Sequence, residues 1–386
     1  MAAIDTTHGP GAPGGPGRSA PPAAVPKTTR PISWWAALGA AFLAFAAYLI
    51  IAWIASGEPA RVSSGETPLP GAMKVALAIQ QWGLFAGMLA LIWFKALRPR
   101  LRTGEFSFDG LMVLSFALMW WSDPLYNYFT PGFNYNAWFV NLGSWVGHVP
   151  GWMSPNSTQI PQPLLWLPGV YTCAFFSMVL IVNWGFRKIR ERYPTLSGIS
   201  MWFVAFVPMM VVGTMWEAAF MVMGSHHYGS SIEGVTLNFG HYYGFPVYQG
   251  ITASLLYCTW GAMRYFRDDR GHSFAEAGIE RLGVSPRLKG WMRFFAVSGA
   301  ITAIFFVMYH LPNALIAERG SAWPTDVEKR SYMTSGVCGV GTGIACPDPA
   351  IPFPRGDSSL RISPEGELIV PEGTELPIAP PISTEP

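Results

Sequence analysis

Two acidic side chains stand in apolar stretches of this 386-residue chain, where a buried charge is costly without a partner or a purpose. Glu217 follows Trp216 near the predicted end of one long apolar segment. A desolvated carboxyl favours its protonated form and can serve as a general acid near neutral pH. The alternative is a structural carboxyl that is hydrogen-bonded to a neighbouring helix.

Asp123 precedes Pro124 in a second apolar stretch, and two interpretations of this pair remain open. If a helix continues past it, the proline frees the carbonyl of Trp120 and places Asn127 one turn beyond the acid, on the same face. A kink beside an acid often lines a cavity. If the helix instead ends here, Asp123 caps a turn at the surface.

Uncharged polar groups and histidines fall on the same predicted side as the two acids. The stretch 124–163 mixes asparagines with aromatic residues and carries no charge, which predicts an interfacial or re-entrant segment over the helix ends. An aromatic belt at the headgroup level is the alternative. The loop after Glu217 carries His226, His227 and His241, which suit proton relay. Their spacing places no two of them on one helix face, so we predict no metal site.

The elements that must position these groups are membrane-spanning helices. The chain is 51% hydrophobic and 12% charged, whereas soluble domains are about 25% charged. A spanning helix needs about 20 apolar residues. Seven segments qualify, namely 33–56, 73–97, 106–123 or beyond, 164–186, 199–223, 243–266 and 290–311. The sequence therefore predicts an all-α integral membrane protein with about seven transmembrane helices.

The basic residues predict the orientation. With seven spans, 18 of the 25 Lys and Arg residues fall on the N-terminal side, and such a bias marks the cytoplasm. The N-terminus is then cytoplasmic, the C-terminus lies outside, and the protein is multi-pass in the cell membrane. A net charge of +2 without a clustered basic face excludes nucleic acid. The expected partners are membrane lipids and a lipophilic small molecule.

Both ends differ in composition from the predicted transmembrane domain, 32–312. Residues 1–31 are rich in Pro, Gly and Ala, which predicts a disordered cytoplasmic tail. Residues 313–386 predict a loosely ordered extracytoplasmic tail, with a short hairpin around Arg361 to Val370. Cys338 and Cys346 fall on the outer side, where a disulfide is permitted, and two free thiols are the alternative.

Several runs of residues resemble the AveC-like spirocyclase family. They are Trp120-Trp121-Ser122-Asp123-Pro124-Leu125-Tyr126-Asn127-Tyr128, Tyr135-Asn136, Asn141-Leu142-Gly143-Ser144-Trp145, His148-Val149-Pro150-Gly151-Trp152 and Trp216-Glu217. The resemblance covers residues 34–311 and implies a membrane-bound enzyme of macrolide polyketide biosynthesis. Such an enzyme closes a dihydroxy-ketone into a spiroketal, influences a neighbouring dehydration and uses no redox cofactor. The resemblance supplies no catalytic residues, so the following roles rest on residue chemistry.

Spiroketal closure needs a proton donor for an oxygen and a proton acceptor for the attacking hydroxyl, and two carboxyls in different environments can supply both. We predict that desolvated Glu217 is the acid and that Asp123, nearer water, is the base. His226 or His241 would relay protons. The predicted substrate-binding residues are Trp121, Asn127, Tyr128, Asn136, Asn141, Trp216 and His227. The prediction is therefore a cofactor-independent cyclase or dehydratase.

Two other functions also fit a protein of this class. A lipid or small-molecule transporter, or an export partner, would use the same polar cluster as a binding site. A seven-span sensor would bind a ligand with its outer loops and dock a partner on its basic loops. Neither alternative has a sequence feature of its own.

Overall fold

The protein is mostly helical in the computed structural model, which describes residues 30–339, 342, 345–349, 361–362, 368–370 and 372. The described α-helices are α1 (Arg30–Ser56), α2 (Gly71–Leu91), α3 (Arg98–Thr103), α4 (Phe108–Met119), α5 (Trp166–Arg192), α6 (Gly198–Val222), α7 (Val247–Tyr265), α8 (Pro286–Phe305), α9 (Leu311–Ala317), α10 (Thr325–Glu328) and α11 (Ser331–Thr334). Two π-helical turns, Ile92–Leu97 and Phe306–His310, join α2 to α3 and α8 to α9. The predicted N-terminal tail lies outside the described residues, apart from the start of α1.

Five continuous helical stretches are long and apolar enough to cross a membrane. They are Arg30–Ser56, Gly71–Thr103, Trp166–Arg192, Gly198–Val222 and Pro286–Ala317. The third and sixth predicted spans correspond to α4 and α7, which are not among these five. Both are mostly buried among other helices, so they need less lipid-facing apolar surface. The membrane protein class is confirmed, and the count of seven spans and the orientation stay predictions.

Close contacts between helices build the bundle. Helix α1 packs on α8, α2 on α5, and α6 on α7, while α4 contacts α5 and α8. Where α1 meets α8, a Cβ on Gly39 would lie only 2.8 Å from the backbone nitrogen of Gly299. Small residues permit such a close approach of two helices in a membrane. Many large apolar residues of α1, α2 and α6 are exposed and suit contact with lipid.

A change of helix type positions Asp123. Helix α4 begins after Ser107, whose hydroxyl accepts a hydrogen bond from the Gly110 nitrogen at 3.1 Å. It ends at Met119, and the chain continues as a 3₁₀ helix over Trp120–Asn127, through Pro124. Asp123 is only 8% exposed. The interpretation of Asp123 as a surface cap is therefore wrong, because the chain remains helical and other segments cover the acid.

Four segments at one end of the bundle fold together, and we call them the cap: residues 57–70, 128–165, 223–246 and 318–339. Its strands are β1 (Phe133–Tyr135), β2 (His226–Tyr228), β3 (Thr236–Leu237) and β4 (Phe245–Pro246). Strand β1 pairs antiparallel with β2, and β3 with β4. Short 3₁₀ turns at Val146–His148, Ser157–Gln159 and Glu233–Val235 complete it. The stretch 124–163 thus includes a large part of this cap.

The C-terminal segment departs from the predicted loose tail. Residues 318–339 are folded into the cap, where the Ala137 nitrogen donates to the Tyr332 oxygen at 2.8 Å. Tyr332, Met333 and Val337 are fully buried. Their apolar side chains are diluted by Pro and Gly, so average composition hides them. Farther on, β5 (Arg361–Ile362) pairs with β6 (Leu368–Ile369), which confirms the hairpin.

The cysteine pair follows the first of the two alternatives. The structure joins Cys338 to Cys346 in a disulfide. Cys173 and Cys258 are free thiols, on α5 and α7. The disulfide ties the end of the cap to the chain that follows it.

Candidate active site

A cavity of about 80 Å³ lies between the cap and the ends of α5 to α8. Three of the predicted catalytic residues, Asp123, Glu217 and His226, line it. Asp123 comes from the 3₁₀ helix after α4, Glu217 from the last turns of α6, and His226 from the start of β2. The structure therefore brings together side chains that are about a hundred residues apart in sequence.

Asp123 is held by two phenol groups. Its Oδ1 atom accepts hydrogen bonds from the Tyr171 hydroxyl at 2.7 Å and the Tyr135 hydroxyl at 2.9 Å. Its Oδ2 atom is buried and has no hydrogen-bond partner among the described residues. No Lys, Arg or His of the described chain forms an ion pair with it. For a buried carboxyl without a neighbouring cation, the neutral form costs less free energy than the ionised form.

Glu217 belongs to a second cluster in the same cavity. The Tyr228 hydroxyl donates to its Oε1 atom, and His226 Nε2 lies 3.7 Å from the same oxygen. The Tyr309 hydroxyl lies 3.3 Å from that of Tyr228. Burial, followed by the nearby carboxyls, raises the pKa of Tyr228 and of Tyr135 well above the ordinary value. Both phenols therefore keep their protons and act as donors.

His226 is held on one side by its neighbour in the chain. Its Nδ1 atom lies 2.8 Å from the Ser225 hydroxyl, which also donates to the Phe220 oxygen at 2.9 Å. Its Nε2 atom is buried, has no hydrogen-bond partner among the described residues, and lies 3.7 Å from Glu217 Oε1. The ring therefore presents an unpartnered nitrogen towards the Glu217 carboxyl.

The strand pair links the two clusters. Tyr135 of β1 lies directly opposite His226 of β2 in the antiparallel register, and their ring centroids are 6.1 Å apart. Tyr135 contacts Asp123, and His226 contacts Glu217. The register of two short strands therefore sets the separation between the two acids.

The order of burial is the reverse of our expectation. Glu217 retains 17% of its side-chain exposure, whereas the Asp123 residue is 8% exposed and its Oδ2 atom is fully covered. The Asp-Pro pair suggested nearness to water, but residues of the cap and of α5 enclose the acid. Asp123, which we expected to be nearer water, is thus the more completely covered of the two carboxyls.

The three predicted amides do not line the cavity. Asn127 exchanges two hydrogen bonds with the backbone of Phe133, at 2.7 and 2.8 Å. Asn136 donates to the Gly224 oxygen at 3.0 Å, and Asn141 accepts from the Val62 nitrogen at 3.0 Å. These amides hold the cap together, which removes the basis for a substrate-orienting role.

Four other predicted residues also lie away from the cavity. His241 is exposed and stacks on Tyr243 with ring centroids 4.9 Å apart. Trp121 packs in a separate aromatic cluster, where its backbone oxygen accepts from Trp145 at 2.9 Å. The Tyr128 hydroxyl donates to the Pro150 oxygen at 3.1 Å. His227 is fully buried and contacts the Met333 oxygen through Nε2 at 3.2 Å; burial lowers its pKa to about 4.

Apolar side chains complete the cavity. The wall residues from the helices are Trp166, Val170, Ala174, Phe175, Phe220, Leu256 and Phe305. Trp216 also lines the cavity and is 40% exposed, and its neighbour Met215 on α6 is 68% exposed. The predicted contact of Trp216 with a substrate is compatible with this position. Trp216 thus forms the part of the wall nearest to the lipid-facing surface of α6.

Sequence reasoning missed the four tyrosines that surround the acids: Tyr135, Tyr171, Tyr228 and Tyr309. One signal was available, because side chains two residues apart on a strand share a face, and Tyr228 follows His226 by two. Tyr171 and Tyr309 lie among many apolar helical residues and have no such signal.

One group of side chains elsewhere has the spacing of metal ligands. Asp268, His272 and Glu280 place one ligand atom each within 4.8 Å of one another. The group lies at the other end of the bundle, and Asp268 is exposed. His272 Nδ1 already contacts Glu280 at 2.9 Å, so an ion pair accounts for this cluster.

Together these features define a helical membrane protein with two carboxyls in one mostly apolar cavity. The sequence model of the family described as "Spirocyclase AveC-like" matches residues 105–333, more than half of the chain. The chain belongs to the AveC-like spirocyclase family, as its resemblance predicted. Membership supports a cyclase-type role in polyketide biosynthesis. No curated protein and no solved structure matches the chain significantly.

The matched region differs from the predicted one at both ends. It excludes α1 and α2 and extends through α10 to Met333 in the cap. Asp123, Glu217 and His226 all fall within it, as does most of the C-terminal segment of the cap.

Proposed function

We propose that this protein is a multi-pass enzyme of the cell membrane that closes a lipophilic hydroxy-ketone into a spiroketal, or dehydrates it, by acid–base catalysis. The observation that carries the proposal is the pair of carboxyls in one cavity, Asp123 without a cation and Glu217 beside an imidazole. Two titratable groups in contrasting environments are the usual basis for dividing acid and base roles.

Asp123 is the proton donor in this proposal. Its Oδ1 atom is occupied by two phenol donors, so the free Oδ2 carries the proton. When substrate displaces the side chains that cover Oδ2, this proton reaches the ketone oxygen. This assignment exchanges the roles that we predicted from sequence, because the structure encloses Asp123 more completely than Glu217.

Glu217 and His226 together are the proton acceptor. The carboxylate removes the proton of the attacking hydroxyl, and His226 Nε2, 3.7 Å away, shares it. Tyr228 holds the Glu217 carboxylate in place through its hydroxyl. The relay role predicted for His241 has no support in this geometry, because its side chain is exposed outside the cavity.

The proton count balances over the reaction. The first hydroxyl adds to the ketone carbon and gives its proton to Glu217, while the ketone oxygen receives one from Asp123, which forms the hemiketal. The proton held by Glu217 and His226 then goes to the hemiketal hydroxyl, which leaves as water. The second hydroxyl attacks the resulting oxocarbenium ion and gives its proton to Asp123, so both carboxyls return to their starting states. The two hydroxyl protons and the former ketone oxygen together form the released water, so no redox step or cofactor is required.

The size of the cavity restricts what enters it. A volume of about 80 Å³ is far below the roughly 300–1,000 Å³ of sites that enclose a whole ligand. The reacting carbon and its neighbouring oxygens fit, and the remainder of the substrate lies outside. We propose that the substrate enters the cavity past the partly exposed Trp216, beside the lipid-facing surface of α6.

Metabolite profiling by mass spectrometry tests the proposal. We compare cells with the wild-type chain, a deletion, Glu217→Gln, and Glu233→Gln as a matched control, because Glu233 is exposed in the cap. The expected result is a hydroxy-ketone that accumulates in the deletion and in Glu217→Gln, heavier than the lost product by one water. Glu233→Gln should match the wild type.

Two outcomes contradict the proposal. A well-expressed Glu217→Gln protein with normal product formation removes the acid–base assignment. An unchanged compound that is only redistributed between cells and medium supports transport instead.

A further inference from the structure

A second and larger cavity, of about 900 Å³, lies at the end of the bundle opposite the cap. Its walls are the α3–α4 turn at 104–106, the α7–α8 connection from His272 to Val284, and the first turns of α8. This is the end with the basic connections, which the charge bias places in the cytoplasm. The proposed reaction uses none of its residues.

The charges of this cavity are unbalanced. Four basic residues line it, Arg100, Arg287, Lys289 and Arg293, beside two acidic ones, Glu105 and Glu280. Glu280 is already engaged with Arg270 at 3.2 Å and with His272 at 2.9 Å.

Only Arg293 among the four has a close carboxylate. Its Nε atom donates to the buried Glu276 at 2.7 Å, and Glu105 lies 3.9 Å from its Nη1 atom. Arg100, Arg287 and Lys289 have no carboxylate partner within the described chain. Three uncompensated cations around one cavity favour an anion.

The remaining lining is apolar and aromatic. Leu111 and Phe294 are buried at the base of the cavity, whereas Trp291 is 54% exposed at its rim. The Arg100 guanidinium lies 5.4 Å from the centre of the Phe106 ring. An exposed Trp beside basic residues is typical of the level of lipid headgroups. The ligand therefore needs both an anionic and an apolar part.

We propose that this cavity binds the headgroup of an anionic phospholipid. The phosphate lies among Arg100, Arg287 and Lys289, and the glycerol and first acyl carbons lie over Trp291 and Phe294. Basic pockets between helix ends at the cytoplasmic side bind such headgroups, and the volume suits one headgroup. A free inorganic anion would make no use of the aromatic rim. The site does not depend on the proposed reaction.

Thermal unfolding of the purified full chain in neutral detergent tests the site. The probes are phosphatidylglycerol, phosphatidylcholine and sodium phosphate. We compare the wild type with Arg287→Gln/Lys289→Gln and with Arg98→Gln/Arg102→Gln. The second double variant removes the same two charges from exposed positions at the same end of the bundle, outside the cavity.

The expected result is saturable stabilisation of the wild type by phosphatidylglycerol, with little effect of the other two probes. Arg287→Gln/Lys289→Gln should bind about 10- to 30-fold more weakly, since each cation near an anionic headgroup contributes about a fivefold effect. Arg98→Gln/Arg102→Gln should change the affinity less, by under about threefold, because these two cations lie outside the cavity and do not contact the headgroup. Native mass spectrometry should show about one phosphatidylglycerol retained by the wild type and lost from the cavity variant.

Four results overturn the proposal. Equal weakening in both double variants would show diffuse attraction to surface charge. Equal stabilisation by sodium phosphate would show a site for a free anion. If the cavity variant does not fold, Arg100→Gln replaces it, and undiminished lipid binding by Arg100→Gln would reject the site. An absence of retained lipid in the wild type would also reject it.

Discussion

Asp109 and Asp123 stand at the two ends of α4 and its 3₁₀ extension, and their surroundings are opposite. Asp109 accepts hydrogen bonds from Arg264 Nε at 2.8 Å and Nη2 at 2.9 Å, and the same guanidinium donates to Asn183 at 2.7 Å. Asp123 has two phenol donors and no cation. A paired carboxylate is stabilised in one protonation state, whereas an unpaired buried carboxyl can give up and regain its proton.

The same contrast separates the two ends of the bundle. At the basic end, Glu276 is fully buried but bonded to Arg293, so that carboxylate fixes α8 to the preceding connection. At the cap end, Glu217 faces only a phenol and an imidazole. Carboxyls at the first end hold helices together, and we propose that those at the second end transfer protons.

The largest expected effect tests this contrast directly. Asp123→Asn preserves the size of the side chain but removes the acidic proton, so product formation should fall by about 100-fold or more. Asp109→Asn should leave the activity per folded molecule close to that of the wild type. Product formation is measured by mass spectrometry on membranes with matched protein content. Equal loss in both variants would abolish the distinction.

Stability should respond in the opposite way. Asp109→Asn leaves Arg264 with a weakened partner and should lower the free energy of unfolding by about 2 kcal/mol, the scale of a hydrogen bond to a charged group. Asp123→Asn should cost less, because no ion pair is broken. Thermal unfolding in detergent compares the two. A larger loss for Asp123→Asn would mean that the buried acid is structural.

The phenols that hold Asp123 should have a smaller effect. Tyr135→Phe and Tyr171→Phe each remove one hydrogen bond to Oδ1, and each should lower product formation by about tenfold, the scale of one net hydrogen bond. The matched control is Tyr128→Phe, which loses a hydroxyl bonded to Pro150 outside the cavity. Wild-type activity in both cavity variants would show that Asp123 needs no orientation by these groups.

The smallest effect concerns His227, a neutral buried group of the cap. Its pKa falls from 6.5 to about 4 on burial, so the unfolded chain binds a proton at a higher pH than the folded chain. Neutral His227 therefore does not lower the free energy of unfolding well above pH 6.5, and the free energy of unfolding decreases as the pH falls towards 4. Between pH 8 and pH 6 the protonation of this residue in the unfolded chain should lower the free energy of unfolding by about 0.8 kcal/mol. A His227→Gln protein should show a shallower decrease in thermal unfolding, and an identical decrease would contradict the assignment.

The helices and both acids were predictable because their signals are local. A charged residue inside an apolar run is rare and needs a reason, which singled out Glu217 and Asp123. Helix α6 follows its predicted bounds within one residue. The shorter helix α4 was harder, because the change to a 3₁₀ helix depends on the segments that pack around Pro124.

The cap was less predictable because its contacts join distant segments. Asn141 binds the backbone of Val62, and Asn136 binds that of Gly224. An asparagine among aromatic residues serves equally well to bind a substrate or a main chain, and only the tertiary structure decides which. The same holds for Asp123, whose cover comes partly from α5 and β1.

The walls of the small cavity and the groups that we propose transfer protons come from different elements. Asp123, Glu217 and His226 lie on the 3₁₀ helix, the end of α6 and β2, whereas most of the apolar wall comes from α5, α7 and α8. Substitutions such as Val170→Ala or Leu256→Ala would change the shape of the chamber without altering either acid. Under the proposed function, exchange of wall residues can change the size of the product, and the same positions are the natural places to redesign selectivity.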